Sequence, residues 1–158
     1  STKIIVWVVG VLLAVVFYRY VFQADVNTCV SLPDGRQQDS CYWSVAFDAK
    51  NAALCKHIAS LDKRDNCVYE MAWRTNNANA CEAIESIAGG MRDECYRAVA
   101  EVSRNPVLCE KVADEGWRQY CRASAYGDAA YCESITSARA KNECTRRNFI
   151  YETDAGSE

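Results

Sequence analysis

Ten cysteines stand at positions 29, 41, 55, 67, 81, 95, 109, 121, 132 and 144, and their spacing limits what the chain can become more than any other feature. They form five pairs, Cys29/Cys41, Cys55/Cys67, Cys81/Cys95, Cys109/Cys121 and Cys132/Cys144, four of them twelve residues apart and one fourteen. That is far more cysteine than a cytosolic enzyme of 158 residues carries, so disulfides are the first expectation.

The pairs mark a repeat. Four residues before each first cysteine stands Asp25, Asn51, Asn77, Asn105 or Asp128, the residue types whose side-chain oxygen caps a helix start. Pro106 follows Asn105 at the favoured first helical position. Three residues after the first cysteine comes Leu32, Ile58, Ile84, Val112 or Ile135, which puts cysteine and aliphatic on one helical face. After the second cysteine, apolar or small residues recur at helical spacing, as in Tyr42, Val45 and Ala46 or Val68, Met71 and Ala72. Turn residues separate the halves: Pro33-Asp34-Gly35, Ser60-Leu61-Asp62, Gly89-Gly90 and Asp114-Glu115-Gly116. With only 2 Pro, 7 Gly and 50% hydrophobic residues, collagen-like and broadly disordered chains are excluded. The expected fold is all-α: an N-terminal transmembrane helix over 1–24, then a disulfide-stapled solenoid of five short helical hairpins over 25–150. The units start near 25, 51, 77, 105 and 128 and share one continuous core. The last unit carries Thr145-Arg146-Arg147-Asn148 where earlier units are apolar, as a capping repeat does, and 151–158 is an acidic tail.

A hairpin that turns midway between its cysteines brings them face to face, which favours Cys29–Cys41, Cys55–Cys67, Cys81–Cys95, Cys109–Cys121 and Cys132–Cys144. The rival connectivity joins one unit to the next, for example Cys41 to Cys55. A closed loop of this size contributes about 3 kcal/mol in the chain-entropy model, and helices this short are marginal alone. We expect no metal and no cofactor, since Cys-x-x-Cys and Cys-x-x-Cys-His are absent and His57 is the only histidine. Structural disulfides place the domain in an oxidising compartment, periplasmic or extracellular.

Residues Ile4 to Phe17 are uninterrupted apolar, and the run extends through Phe22, long enough to span a bilayer. Ile4, Trp7, Phe17, Tyr18, Arg19 and Tyr20 are the expected membrane-anchor residues, with Arg19 and its flanking tyrosines at the headgroups. Lys3 then stays on the cytoplasmic side. A removable signal peptide is the competing expectation. Against it, Phe22 rather than a small residue stands three positions before a cut after Ala24.

Few residues invite chemistry. His57 has no nucleophile beside it in sequence, and Asp62/Asp65 and Asp114/Glu115 fall where carboxylates favour a helix start. We therefore expect no enzymatic activity. A basic column is more specific: Arg64, Arg92, Arg118 and Lys141 each precede the second cysteine by three residues. Cations at a helix start oppose its dipole, so each should reach back to the carbonyl end of the preceding helix, or else form a ladder for an acidic partner. Trp43, Tyr69, Trp73, Trp117, Tyr120, Tyr126 and Tyr131 are expected mainly in packing, with a partner-binding patch as the alternative. A net charge of −3 with interspersed signs excludes a concentrated nucleic-acid face. The expected partners are membrane lipid through residues 4–22 and other protein subunits or copies of the chain itself.

The apolar stretch up to Phe22, followed directly by a globular domain, resembles the architecture of type IV pilins. The resemblance implies an extracellular filament whose apolar helices bundle as its core. Many bacterial pilins have a glutamate at the fifth mature residue, where this chain has Ile5, and Lys3 is a charge such a core must accommodate.

Overall fold

A computed structural model describes residues 7, 26–33, 35–86, 90–128 and 130–154, with side chains followed as far as Arg147. The expected membrane segment lies outside the described residues except for Trp7, which is exposed. No helix among the described residues is long and apolar enough to cross a membrane.

The described residues form an all-α domain without strands. In chain order the elements are α1 (Val26–Val30), α2 (Gly35–Asp48), the 3-10 helix η1 (Ala52–His57), α3 (Leu61–Arg74), η2 (Ala78–Ala83), α4 (Met91–Ser103), η3 (Pro106–Lys111), α5 (Glu115–Tyr126), α6 (Ala130–Glu133) and α7 (Ala138–Asp154). They pair as α1/α2, η1/α3, η2/α4, η3/α5 and α6/α7, each pair closed by one disulfide. The bonds are Cys29–Cys41, Cys55–Cys67, Cys81–Cys95, Cys109–Cys121 and Cys132–Cys144, with Cα atoms 5.4 to 5.7 Å apart. The second helix of each unit packs on both halves of the next.

The structure departs from the sequence expectation in three ways. The first half of the three middle units is a 3-10 helix of six residues rather than an α-helix. With three residues per turn, side chains at i and i+3 eclipse. Ala52, Cys55 and Ile58 therefore line up on the core side, as do Ala78, Cys81 and Ile84. Asn51 and Asn105 cap η1 and η3 by accepting from the amides of Ala53 and Val107, whereas Asn77 makes no side-chain cap bond. The core is also not continuous. Twenty buried residues from Cys29 to Ala125 form one cluster, and Tyr120, Ala123, Cys132, Ile135, Ala140 and Cys144 form another around the fifth unit. Helix α5 divides them, with Cys121 and Ala125 in the first cluster and Tyr120 and Ala123 in the second. The last helix also runs past the expected boundary at 150, reaching Asp154.

Neighbouring units are joined by a repeated reversal. Lys50, Asn76 and Arg104 adopt φ of 51°, 52° and 50°, and Gly127 takes 66°. The amides of Asn51, Asn77, Asn105 and Asp128 then donate to the carbonyls of Ala46, Ala72, Ala100 and Ala123. This is the left-handed close of a helix, reached three times without glycine at a cost of ~1–2 kcal/mol each. Every hairpin thus has a turn end, between its cysteines, and an open end carrying the linkers. The first three linkers share one edge of the domain, where Phe47, Lys50, Arg74, Thr75 and Val102 line one cavity.

Candidate functional site

Three of the four cations of the basic column are spent on backbone. Arg92 donates through Nε and Nη2 to the carbonyl of Ile84, and Arg118 donates from Nε to Val112 O at 2.9 Å and from Nη2 to Ala113 O at 3.2 Å. Lys141 Nζ donates to Glu133 O at 3.0 Å. In the first unit Gln38 fills the same place, its Nε2 lying 3.0 Å from Leu32 O. Each side chain satisfies a carbonyl at the end of the preceding helix, the reach-back contact the spacing predicts. Arg64 differs: its Nε is buried without a hydrogen-bond partner and its Nη2 lies 3.7 Å from Glu85.

One residue further along stands a second column, of which the sequence pattern singled out Asp65 alone, as a carboxylate favouring a helix start. Two positions before the second cysteine are Asp39, Asp65, Asp93, Gln119 and Asn142. Asp39 accepts from Ala59 N at 2.7 Å, and Asp65 from Glu85 N at 3.1 Å and Ser86 N at 2.8 Å. Asp93 accepts from the amides of Ala113 and Asp114, and Gln119 from Thr136 N at 3.1 Å. Each acceptor lies in one unit and its donors in the next, so the column links hairpin to hairpin. Burial pushes the Asp65 carboxyl up, but bonds from Ser86 and Glu85 and the nearby Arg64 charge outweigh it and hold it below the ordinary value. The signal was in the sequence, as acidic or amide residues at a fixed offset from cysteine.

The densest polar cluster sits where units three, four and five meet. Arg97, 8% exposed, binds Glu94 and Glu101 and lies 5.2 Å over the Tyr120 ring. Burial opposes its charge, but the two carboxylates outweigh it and raise its affinity for the proton. Arg147 comes from the last helix to Glu101 at 2.6 Å. Tyr96, buried and hydrogen-bonded to Glu82, is pushed up to about 12 by burial first and then by that carboxylate. Beside the cluster a cleft of about 490 Å³ is lined by Asp93, Arg97, Asp114, Trp117 and Arg139 among others. Its titratable groups are largely engaged: Asp93 and Asp114 serve backbone amides, Arg97 is paired, and Arg139 lies 5.8 Å from the Trp117 ring.

The other singled-out residues are dispersed. His57 is exposed and stacks on Tyr42 at 5.1 Å. Trp43, Tyr69, Trp73 and Trp117 pack against the larger core, and Trp117 also touches the smaller one. Tyr120 is buried, while Tyr126 and Tyr131 stack at 4.8 Å on the surface. A second cavity of about 360 Å³ lies between the ends of α2, α3 and α4, lined by Phe47, Lys50, Met71, Trp73, Arg74, Thr75 and Val102. No group of three or more metal-ligating side chains converges among the described residues. Compared with family models, curated proteins and solved structures, the chain has no match in any of the three.

Proposed function

We propose that the chain is a non-catalytic, membrane-anchored subunit whose helical domain is a stiff solenoid of five hairpins, held outside the cytoplasm, where it docks on or braces a larger assembly. The use made of the polar side chains carries the reading. Arg92, Arg118 and Lys141 serve backbone carbonyls, and Asp39, Asp65 and Asp93 serve backbone amides of the next unit. Side chains engaged in this way stiffen the domain rather than serve as free acids, bases or nucleophiles. Five disulfides fit an oxidising compartment, and the apolar run from Ile4 to Phe22 supplies an anchor of spanning length.

The test uses native membranes of cells expressing the full chain. The reading expects the protein to stay in the membrane after alkaline carbonate, to show no alkylatable thiol before reduction, and to migrate after chemical cross-linking as one subunit of a discrete complex. Free thiols across the domain, or release by carbonate, would overturn it. Long filaments of the chain alone in electron micrographs would replace it with the pilin-like reading.

A further inference from the structure

The exposed apolar side chains are unevenly placed. Phe47, Val102, Val107, Tyr126 and Tyr131, between 38% and 72% exposed, all lie at helix ends that border a linker. Among the described residues after 25, Val30 and Leu61 are the large exposed apolar side chains at turn ends. Around the first group stand Lys50, Arg74 and Arg104. Arg74, paired with Glu70 at 3.0 Å, lies 4.8 Å from the Phe47 ring and 4.7 Å from the Trp73 ring, and Lys50 and Arg104 are the exposed left-handed residues that close α2 and α4. Aromatic rings, aliphatic tips and cations on one edge are the chemistry of a bilayer interface, where rings and stems reach the acyl boundary and cations meet phosphate.

The position of the anchor selects the occupant. The apolar run ends at Phe22 and α1 begins at Val26, four residues on. Four residues of fully extended chain reach at most about 14 Å, against a headgroup layer about 5–8 Å deep on each side. Val26 lies at the open end of the first hairpin, on the same side of the Cys29–Cys41 bond as Phe47 and Lys50. The chain therefore enters the domain by the linker edge, and that edge is the one brought against the bilayer. We infer that the linker edge is a membrane-facing surface that rests in the headgroups of the anchoring bilayer and takes anionic phospholipid on Lys50 and Arg104. The inference rests on the anchor reading above.

The experiment places a photo-activated cross-linking side chain at position 102 or 107 on the linker edge, and at 30 or 61 on the turn ends. The full chain is reconstituted in phosphatidylcholine vesicles with and without phosphatidylglycerol. Lipid adducts should form at 102 and 107 and not at 30 and 61, and rise several-fold with phosphatidylglycerol. Lys50→Asn with Arg104→Asn should abolish that rise, because asparagine tolerates the left-handed backbone while removing the charge. Helicity and the five disulfides serve as the control for folding. Equal adducts on both edges, or no lipid adduct at 102 in a carbonate-resistant chain, would overturn the inference and leave the anchor standing. If carbonate releases the chain, the anchor reading fails. Adducts confined to 102 and 107 would then support the surface alone, and their absence would overturn both.

Discussion

The second hairpin and the fifth have the same cysteine spacing, yet they are tied to their neighbours by different means. At the junction of units two and three, Asp65 is fully buried and accepts two backbone amides from the following unit, within the larger core. At the junction of units four and five the matching residue is Gln119, exposed enough to meet water, and its amide oxygen serves Thr136. The fifth unit has its own small core and is held by side chains the repeat does not specify: Gly116 under Ser137, Arg139 beside Trp117, and Arg147 on Glu101. One disulfide spacing therefore goes with unlike junctions, a buried carboxylate serving two amides at one and a half-exposed amide with several unrepeated contacts at the other.

The largest expected contrast comes from the cores. Ile84→Ala removes a fully buried side chain from the shared core and should cost ~2–5 kcal/mol in global unfolding by denaturant. Ile135→Ala should instead speed hydrogen exchange in the fifth unit while leaving the main transition nearly in place. Equal global losses for the two would merge the cores and remove the distinction.

Asp65→Ala leaves the Glu85 and Ser86 amides without their acceptor and should cost ~1–3 kcal/mol, against about 1 kcal/mol or less for Gln119→Ala. Because the Asp65 carboxyl is held below its ordinary value of 3.8, its contribution is present above that value and is lost as pH falls through the lower folded value. Acid titration of the wild type should therefore show a stability loss below about pH 4 that Asp65→Ala lacks. An unchanged acid profile in the variant would place the sensitivity elsewhere.

A local effect probes the last junction directly. A Cβ at Gly116 would lie 2.4 Å from the Cβ of Ser137, so Gly116→Ala must push the fifth unit away. The expected cost is ~1–2 kcal/mol, read as increased exchange of α6 and α7 amides with units one to three unaffected. Protection unchanged in α7 would show that the junction gives without cost.

Much of the local plan was written in the order of residues. Cysteine pairs, Asn or Asp before the first half, and an aliphatic three residues after the first cysteine repeat along the chain, because capping and core-facing periodicity are properties of neighbours in sequence. The reach of Arg92, Arg118 and Lys141 could be read the same way, since helix-end carbonyls need donors wherever the helix sits. Other features depended on what came near in space. The 3-10 form of η1 to η3 follows from fitting cysteine and aliphatic into one line against the core, and the reversals at Lys50, Asn76 and Arg104 carry no glycine to announce them. The bonds from Asp39, Asp65 and Asp93 join residues 20 or 21 positions apart, and Arg147 meets Glu101 across 46. Sequence alone determined the helical class and the hairpin period, because both arise from short-range backbone and side-chain preferences. Only the tertiary structure decided which carboxylates bind the units together and where the core divides, because those depend on how α5 apportions its two faces between neighbours.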